Sequence, residues 1–441
     1  MINKMNKNKH QILELMIIFI ITILFNLLCN GMERDEIWNY GFSYNIATGL
    51  IPYKDFNMVI TPLFPMIGSL FIYIFGKNIL IYYIFNSIIC TIIFYHIKRT
   101  TSQNYYLVYI IVLFFSTTNY NLFCLLLLYI IINLEEKNAN DYLIGILLGL
   151  TFLTKQNIGI FLCLPTFLIK NKKRILKRIF GFLVPNILLL IYLLINNALY
   201  EFIDYVFLGI NDFASKNTII YPKSLMIHII TIIYLIFKYL KTKDIKLLYI
   251  LCFQGMAYPI YNSYHVIIPF IPAFAYFIND IKLNTKIINT FFIIIVTIIF
   301  SINIYQIFNN NYNYPNETIH YKYKKIPNEI VNTINILSNY LKNIEGQIFI
   351  IDIHAYLLKL ESSIPINKYD LLNDGNLGQG GKEKILQEID NICQKEKCTF
   401  LLNKNKIDTK EYDQYSQDLY QYVIKNYNEI KTIEHLTIYE N

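Results

Sequence analysis

Charged residues are scarce in this sequence. Only 16% of its 441 residues are Asp, Glu, Lys or Arg, and 55% are hydrophobic. Typical soluble domains carry roughly 25% charged residues. The shortage of charge excludes an ordinary soluble globular protein, and the composition predicts an integral membrane protein.

Several familiar site motifs are missing as well. The sequence has no zinc-ligand spacing, no nucleophile elbow and no internal repeat. The glycine-rich stretch at residues 374–381 lacks the Gly-Lys-Ser/Thr of a nucleotide-binding P-loop, and no strand leads directly into it. We interpret this stretch as a flexible turn. The sequence Asn316-Glu317-Thr318 matches a glycosylation acceptor, a pattern too frequent by chance to indicate a function.

The positive net charge does not indicate a nucleic-acid surface. The charge of +8 comes from 39 basic and 31 acidic side chains. The basic residues cluster in short stretches between apolar runs, at residues 170–178, 238–246 and 282–286. Lys and Arg in short loops mark the cytoplasmic side of a membrane protein. We therefore interpret these clusters as topology signals.

The cysteines fall into two groups. Those in or beside apolar runs are interpreted as packing residues, and they are Cys29, Cys90, Cys124, Cys163 and Cys252. Cys393 and Cys398 lie close together in a polar region. A disulfide and two unrelated thiols are both compatible with the sequence, and an extracytoplasmic location would favour the disulfide.

The N-terminus predicts the orientation of the chain. Residues 1–10 are basic and are followed by the apolar run 15–29. Because no small-residue cleavage site follows, and Leu28 before Cys29 does not fit a lipoprotein signal, we interpret this run as an uncleaved first span. The positive-inside rule places the N-terminus inside and the loop at residues 31–58 outside.

Further apolar runs follow the first loop. They cover residues 59–75, 79–97, 105–115, 122–132, 143–153, 158–169, 179–195, 225–237, 247–260, 266–278 and 287–307. The pattern predicts an α-helical multipass membrane protein of about 11–13 spans. An even number of spans conflicts with the positions of the basic loops, so one run should be re-entrant, interfacial or wrongly divided. The candidates are run 59–75 and the pair that flanks residues 117–121.

After residue 309 the composition becomes polar. The sequence therefore predicts two domains, a transmembrane domain at 1–309 and a soluble extracytoplasmic α/β domain at 310–441. Strands are predicted at residues 347–353, 399–402 and 435–439, and helices at 327–341, 382–392 and 410–425.

The acidic pair Asp35-Glu36 lies in the first outer loop. Apolar and polar residues from Asp35 to Asn45 recur at helical spacing, and Gly49 ends the pattern, which predicts a short interfacial helix. A carboxylate there can act as a general base on a hydroxyl group, and its neighbour can orient a substrate or bind a divalent cation such as Mg²⁺ or Mn²⁺. A solvated pair of loop charges is the alternative.

Other polar residues near the predicted outer face are candidates for binding an anionic group. Tyr53, Lys54 and Asp55 lie in the same loop, and Lys54 could bind a phosphate or extend to lipid headgroups. Lys155 lies between two apolar runs, where it is a phosphate ligand if the turn is outside and a topology anchor if it is inside. His265 begins an apolar run, and it is either a ligand or a structural residue.

Together these motifs resemble a known family. Asp35-Glu36 after the first span, G-L-I-P-Y-K-D-F at residues 49–56, T-P-L-F-P at 61–65, L-T-K-Q-N-I-G at 153–159 and the segment 259–265 look like the GT-C membrane glycosyltransferases. The branch of protein O-mannosyltransferases and aminoarabinose transferases is the most similar. Ile37 and Trp38 stand where many members have Arg or Tyr, and Pro62 and Pro65 replace a Pro-Pro pair.

The resemblance implies an activity and roles for residues. It implies an inverting transferase that moves a sugar from a polyprenyl-phosphate donor to an acceptor on the outer face of a bacterial cell membrane. Asp35 would be the base, Glu36 its partner, and Lys54 and Lys155 ligands of the donor phosphate. Acceptors would be a cell-envelope glycan, a lipid or a protein, and no metal is obligatory.

Two other functions are compatible with the sequence. A transporter or flippase of lipid-linked sugars would use charges within many spans, whereas the predicted spans here are nearly free of charge. A polymerase or ligase of surface glycans would use basic and His residues in outer loops. The acidic, aromatic loop at residues 200–222 does not favour it.

Overall fold

The computed structural model describes most of the chain. The described residues are 2–29, 34–101, 104–117, 119–210, 220–258, 260–281, 284–309, 312–313, 318–352, 355–364, 366–370, 377–403 and 414–441. Glu33, Pro259, Asn316 and the first part of the glycine-rich stretch, residues 374–376, lie outside them.

Every predicted apolar run forms a helix. The helices of this part of the chain are α1 Ile2–Leu28, α2 Arg34–Ala47, α3 Leu63–Phe75, α4 Ile79–Thr100, α5 Tyr105–Phe114, α6 Asn119–Glu136, α7 Asp141–Thr154, α8 Gln156–Phe167, α9 Lys172–Ile195, α10 Leu199–Ile203, α11 Pro222–Thr242, α12 Ile245–Phe253, α13 Ser263–Asp280 and α14 Thr285–Phe308. A π-helical turn, Asp204–Leu208, follows α10, and a 3-10 turn, Gln254–Ala257, follows α12.

Side-chain caps fix where several of these helices begin. Asn140, Asp244 and Asn284 each accept a hydrogen bond from a backbone N–H in the first turn of α7, α12 and α14. Such caps satisfy N–H groups that have no partner within the helix. In run 59–75 the helix begins only at Leu63, because a proline, here Pro62, disfavours helical conformation in the residue before it.

The helices identify a multi-pass membrane protein. Within the described part of the chain, five are long and apolar enough to cross a membrane, and they are Lys9–Leu28, Ile79–Thr100, Lys172–Ile195, Pro222–Thr242 and Thr285–Phe308. Others are shorter, and Leu63–Phe75 has 13 residues. At 1.5 Å per residue it extends about 20 Å, less than the roughly 30 Å of a bilayer core. This length suits the predicted re-entrant or interfacial element.

Glycines let α7 and α9 approach closely. A Cβ atom added at Gly145 would lie 2.2 Å from the backbone oxygen of Arg178, and one at Gly181 would lie 2.2 Å from that of Tyr142. Small residues at helix contacts are typical of membrane proteins. Any larger side chain at these two positions would force the helices apart.

The basic stretch 170–178 differs from the expected loop, because α9 begins at Lys172. Arg178 is buried and donates hydrogen bonds to Glu135 and to Asp141, at 2.5 and 2.8 Å. Arg174 also pairs with Asp141, at 3.0 Å. These carboxylates compensate the arginine charges. The helix can therefore include basic residues that the sequence analysis interpreted as a loop.

The C-terminal segment contains the predicted strands and helices. Its elements are β1 Tyr312–Asn313, β2 Ile326–Pro327, α15 Asn328–Leu341, β3 Gln347–Ile351, α16 Ala355–Glu361, α17 Gly381–Cys393, β4 Cys398–Asn403, α18 Gln414–Asn426, β5 Asn428–Ile433 and β6 Leu436–Glu440. Four strands form one sheet in the order β3-β4-β6-β5, in which the β3–β4 pairing is parallel and the other two pairings are antiparallel. The first residues of the predicted helix 410–425 lie outside the described part.

The chain divides into two compact units. One comprises Met1–Gly31, Leu80–Leu189 and Ile219–Asn311, and we call it the helical unit. The other comprises Met32–Ile79, Leu190–Thr218 and Tyr312–Asn441, and we call it the mixed unit. The mixed unit contains the first loop together with the C-terminal sheet. The predicted boundary at residue 309 separates a domain in the membrane from a domain in water, and it stays a prediction.

Within the mixed unit, the π-helical turn contacts the glycine-rich stretch. Gln379 donates its backbone N–H to the carboxylate of Asp204 at 2.8 Å, and Lys384 pairs with the same carboxylate at 3.1 Å. Gly378 has φ +72°, and a Cβ atom there would lie 2.6 Å from Asp204. Residues 377–380 are therefore a turn that Asp204 holds, and glycine is required at 378.

Cys393 and Cys398 form a disulfide, which resolves the alternative that the sequence left open. It joins the end of α17 to the start of β4. We expect replacement of both cysteines by Ala to lower the free energy of unfolding by about 2 kcal/mol, because the unfolded chain regains the entropy of a short closed loop.

Calorimetry of the purified protein in detergent measures this loss. A reducing agent should lower the melting temperature of the wild type as much as the double substitution does. It should leave the melting temperature of the double variant unchanged. If reduction does not affect the wild type, the disulfide does not contribute to stability.

Candidate functional site

The helix that was predicted in the first loop is present as α2, and its interfacial location stays a prediction. Its first turn contains Asp35 and Glu36, where acidic side chains are favoured by the partial positive charge of a helix N-terminus. The helix ends before Gly49, which has φ +94°, a conformation that favours glycine. Asp35 is partly buried, and its backbone oxygen accepts a hydrogen bond from the side chain of Asn39 at 2.6 Å.

Asp35 and Glu36 have different surroundings. Successive residues of an α-helix point about 100° apart, so the two carboxylates leave α2 in different directions. Glu36 is buried, with its carboxylate 3.6 Å from the ammonium group of Lys324, which is also buried. The two acids are therefore not equivalent, because Glu36 belongs to a buried ion pair.

An aromatic cluster surrounds the middle of α2. The hydroxyl of Tyr40 and Nδ1 of His320 share a hydrogen bond of 2.8 Å, and the ring of Tyr44 meets the imidazole edge-on at 4.8 Å. Tyr321 packs edge-on against Tyr40. Burial, with the charge of Glu361, raises the pKa of Tyr40 well above its usual value, so its hydroxyl stays protonated.

The carboxylate of Glu361 holds the loop that carries His320. It accepts hydrogen bonds from the backbone N–H groups of Ile319, His320 and Tyr321, at 2.7 to 3.1 Å. Burial raises the pKa of Glu361, and these three N–H groups oppose the rise. This loop fixes the position of the imidazole against α2.

His320 predicts a pH dependence. Burial, followed by the charge of Lys77, lowers the pKa of His320 from 6.5 to about 4. The folded protein therefore binds the proton of His320 more weakly than the unfolded chain does. The contribution of His320 to the free energy of unfolding is fully present above pH 6.5 and is lost as the pH falls towards 4. The full loss from this residue is about 3 kcal/mol.

Melting temperatures of the wild type and His320→Gln between pH 7 and pH 4 test this expectation. The variant should lose less stability on acidification than the wild type. Glu361 remains in both proteins, so its opposite contribution cancels in the comparison. Parallel profiles would show that His320 is protonated equally in both states.

Tyr53 and Asp55 shape the turn after α2. Tyr53 is buried with φ +73°, and its hydroxyl donates to the backbone oxygen of Ile60 at 2.7 Å. The carboxylate of Asp55 accepts the backbone N–H of Ile51 at 2.7 Å. Lys54 lies between them and is exposed. These contacts of Tyr53 and Asp55 stabilise the turn, and donor binding by the two residues stays a prediction.

Lys155 and His265 belong to the helical unit. Lys155 separates α7 from α8, and its ammonium group donates to Asn121 at 3.0 Å and lies 5.3 Å from the ring centre of Tyr120. His265, in the first turn of α13, contacts Asn262 through Nδ1 at 2.8 Å. Burial, followed by the charge of Lys155, lowers the pKa of His265 to about 3, so these two predicted residues lie in the same region of the helical unit.

Three turns meet at this end of the helical unit. The first turn of α6 supplies Asn121, the turn between α7 and α8 supplies Lys155, and the turn before α13 supplies Asn262. Lys246 lies at the other end of α6, where it pairs with Glu136. The two ends of this 18-residue helix are about 27 Å apart. Lys155 is thus far from the basic cluster at residues 238–246.

The sequence analysis missed His320, Lys324 and Glu361. A weak local signal exists, since residues 318–325 are rich in aromatic and basic side chains. Nothing local connects them with α2, almost 300 positions earlier. No group of three or more His, Cys, Asp or Glu side chains suited to a metal occurs among the described residues. A divalent cation at Asp35 or Glu36 stays a prediction.

Comparison with known proteins identifies the fold. No protein-family model matches the chain. No curated protein matches it either. The crystal structure of ArnT from Cupriavidus metallidurans bound to undecaprenyl phosphate does match, with a TM-score of 0.62 over 99% of this chain and 98% of that chain, at 7% identity.

Two structures of an oligosaccharyltransferase from Archaeoglobus fulgidus match more weakly. AglB in complex with an inhibitory peptide and a dolichol-phosphate has a TM-score of 0.45 at 10% identity, over 89% of this chain and 69% of that chain. A complex with Zn and sulfate has a TM-score of 0.43 at 9% identity, over 94% and 71%. Scores this low carry no argument about this chain.

The chain has the fold of ArnT over 99% of its length. This is the fold that the resemblance to the GT-C enzymes implies. The predicted fold class, a helical multi-pass membrane protein with a small C-terminal sheet, is confirmed.

Proposed function

We propose that the chain is an inverting membrane glycosyltransferase. It moves a sugar from a polyprenyl-phosphate donor to a cell-envelope glycan, lipid or protein on the outer face of the membrane. The observation that carries this proposal is the match in fold to ArnT over 99% of the chain, because that structure contains a polyprenyl phosphate. The acidic pair at the start of α2 supplies the chemistry.

Asp35 is the general base of the proposed reaction. Its carboxylate takes the proton from an acceptor hydroxyl, and the oxygen attacks the anomeric carbon as the bond to the donor phosphate breaks. The phosphate leaves with the electron pair, and the configuration inverts because attack and departure occur on opposite faces. Asp35 is partly exposed, whereas Glu36 is buried beside Lys324, so Asp35 is the acid that an acceptor can reach.

Glu36 has a positioning role in this proposal. Its ion pair with Lys324 ties the first turn of α2 to the segment that carries His320. A base is effective only when it is held within hydrogen-bond reach of the proton that it removes. We infer that this pair sets the position of Asp35.

Lys54, Lys155 and His265 are the proposed ligands of the donor phosphate. Lys54 is exposed and free to reach an anionic group. Lys155 and His265 lie close enough for the charge of one to act on the other. Fixed cations stabilise the charge that develops on a leaving phosphate, so a metal is not obligatory. In the predicted orientation, Lys155 lies at the outer end of its unit.

A leaflet-resolved transfer assay tests the proposal. Inverted and right-side-out vesicles containing the full chain receive a radiolabelled polyprenyl-phosphate sugar, with and without EDTA. We expect label in the glycan, lipid or protein fraction only when the donor is accessible from the outer face, and transfer that persists in EDTA. Movement of intact donor between leaflets without transfer would establish the flippase alternative.

A further inference from the structure

A polar cavity lies within the helical unit, far from the turns that hold Lys155 and His265. Its volume is about 150 Å³, and residues from α4, α6, α12 and α13 line it. This is several times the roughly 30 Å³ that a water molecule occupies in the liquid. The cavity lies where α4, α6 and α13 end and α12 begins, which is the predicted cytoplasmic end of these helices.

Two buried polar atoms in the cavity lining have no hydrogen-bond partner among the described residues. They are the hydroxyl of Tyr129 and Oδ1 of Asn133. Tyr129 is only 2% exposed, and its ring stacks on that of His96. Buried polar groups are almost always hydrogen-bonded, because an unmade bond costs free energy. The two atoms therefore indicate a ligand that supplies hydrogen-bonding groups.

One positively charged side chain in the cavity lining has no carboxylate partner among the described residues. Arg99 lines the cavity, is exposed, and makes no salt bridge among the residues that the structure describes; its guanidinium lies 5.8 Å from the ring centre of Tyr95. Lys246 also lines the cavity, but Glu136 and Asp244 pair with it at 2.7 and 3.4 Å. Arg99 is thus the cation that remains available, and a guanidinium binds phosphate oxygens through two hydrogen bonds at once.

The ligand must also donate hydrogen bonds. Oδ1 of Asn133 is an acceptor, and the C-termini of three helices present backbone oxygens with partial negative charge. Inorganic phosphate alone would donate few hydrogen bonds to these acceptor atoms. A phosphate that carries a hydroxylated substituent meets both requirements. Its phosphate oxygens would accept hydrogen bonds from Arg99, and its hydroxyl groups would form hydrogen bonds with Asn133 and Tyr129.

We propose that this cavity binds the phosphate of a glycerol phosphate group. Two sources have this chemistry, the headgroup of an anionic phospholipid such as phosphatidylglycerol and soluble glycerol phosphate. The cavity lies at the ends of predicted spans, at the level of lipid headgroups, and basic residues on the cytoplasmic side commonly bind anionic lipids. This site is separate from the proposed catalytic site and does not depend on the transferase activity.

Ligand retention by the full chain in detergent tests the proposal. Native mass spectrometry would count bound molecules during titration with phosphatidylglycerol, phosphatidylcholine, glycerol phosphate or inorganic phosphate. We expect phosphatidylglycerol to bind at least tenfold more tightly than phosphatidylcholine. Arg99→Gln should weaken this binding about ten- to hundredfold, and Tyr129→Phe about three- to tenfold, as expected for a charged and a neutral hydrogen bond.

Controls separate a ligand site from a structural role. Lys173→Gln removes an exposed positive charge at the start of α9, outside the cavity, and should bind like the wild type. Tyr129→Phe keeps the ring and should melt at or above the wild-type temperature without ligand, since it removes an unpaired buried hydroxyl.

The arms of the experiment distinguish the sources. Binding of glycerol phosphate that needs Arg99 would show that the soluble group suffices, and binding of phosphatidylglycerol alone would identify the lipid. Equal binding of phosphatidylglycerol and phosphatidylcholine with no binding of glycerol phosphate, or binding that Arg99→Gln leaves unchanged, would overturn the proposal and leave a water-filled cavity.

Discussion

Asp35→Asn is expected to lower the rate of sugar transfer about 10²- to 10⁴-fold, the usual contribution of a general base. Asparagine has nearly the same shape as aspartate and fits the same position in the first turn of α2. Its amide cannot remove the proton from the acceptor hydroxyl. Because Asp35 is only partly buried, its replacement should change the melting temperature little. The measurement is the initial rate of label transfer at matched protein levels.

Two further variants test whether the loss of transfer is specific to the carboxylate of Asp35. Glu345→Gln removes an exposed carboxylate of the same unit and should transfer at the wild-type rate. Glu36→Gln should also transfer more slowly, but with a lower melting temperature, since Glu36 belongs to a buried ion pair. If Glu36→Gln abolishes transfer while remaining stable, and Asp35→Asn retains it, the roles of the two acids are reversed.

Lys324→Met is expected to lower the free energy of unfolding by about 3–5 kcal/mol, as for other buried ion pairs that lose one partner. Lys324 and Glu36 are 0% and 1% exposed, so water cannot compensate the charge that remains. The effect should be large because the variant leaves a buried carboxylate within the first turn of α2. Melting of the purified protein in detergent measures it.

The double variant Glu36→Gln/Lys324→Met distinguishes a charge effect from a packing effect. It removes both charges and should be more stable than Lys324→Met alone. Lys322→Met is the matched control, because Lys322 is an exposed lysine two residues away. If the double variant is no more stable than the single one, the two side chains are not coupled.

The elements of the fold could be predicted largely from the sequence. Hydrophobic runs predict helices well because burial in lipid depends on local composition, and each run in fact forms a helix. The helix at Asp35 was also predictable, since its spacing and its end at Gly49 are local signals. Strand β5 was missed because it is an edge strand whose residues are nearly all exposed, without the usual alternation.

The surroundings of the site could not be predicted in the same way. His320, Lys324 and Glu361 reach α2 only through tertiary packing, and no spacing in the sequence connects residues so far apart. The contacts of Tyr53 and Asp55 within the turn were also not predictable from the sequence, and donor binding by these two residues stays a prediction. Composition identifies where polar residues gather, but only the fold shows which of them are already paired.

The most direct test of the proposed function is release of polyprenyl phosphate by the purified full chain. The protein in detergent is mixed with radiolabelled polyprenyl-phosphate sugar and an acceptor fraction from the cell envelope, and the lipid products are separated over time. The proposal predicts that polyprenyl phosphate and labelled acceptor appear in equal amounts, and that both fail to appear with Asp35→Asn. Donor that remains intact with the wild type and every acceptor fraction would contradict the assignment as a glycosyltransferase.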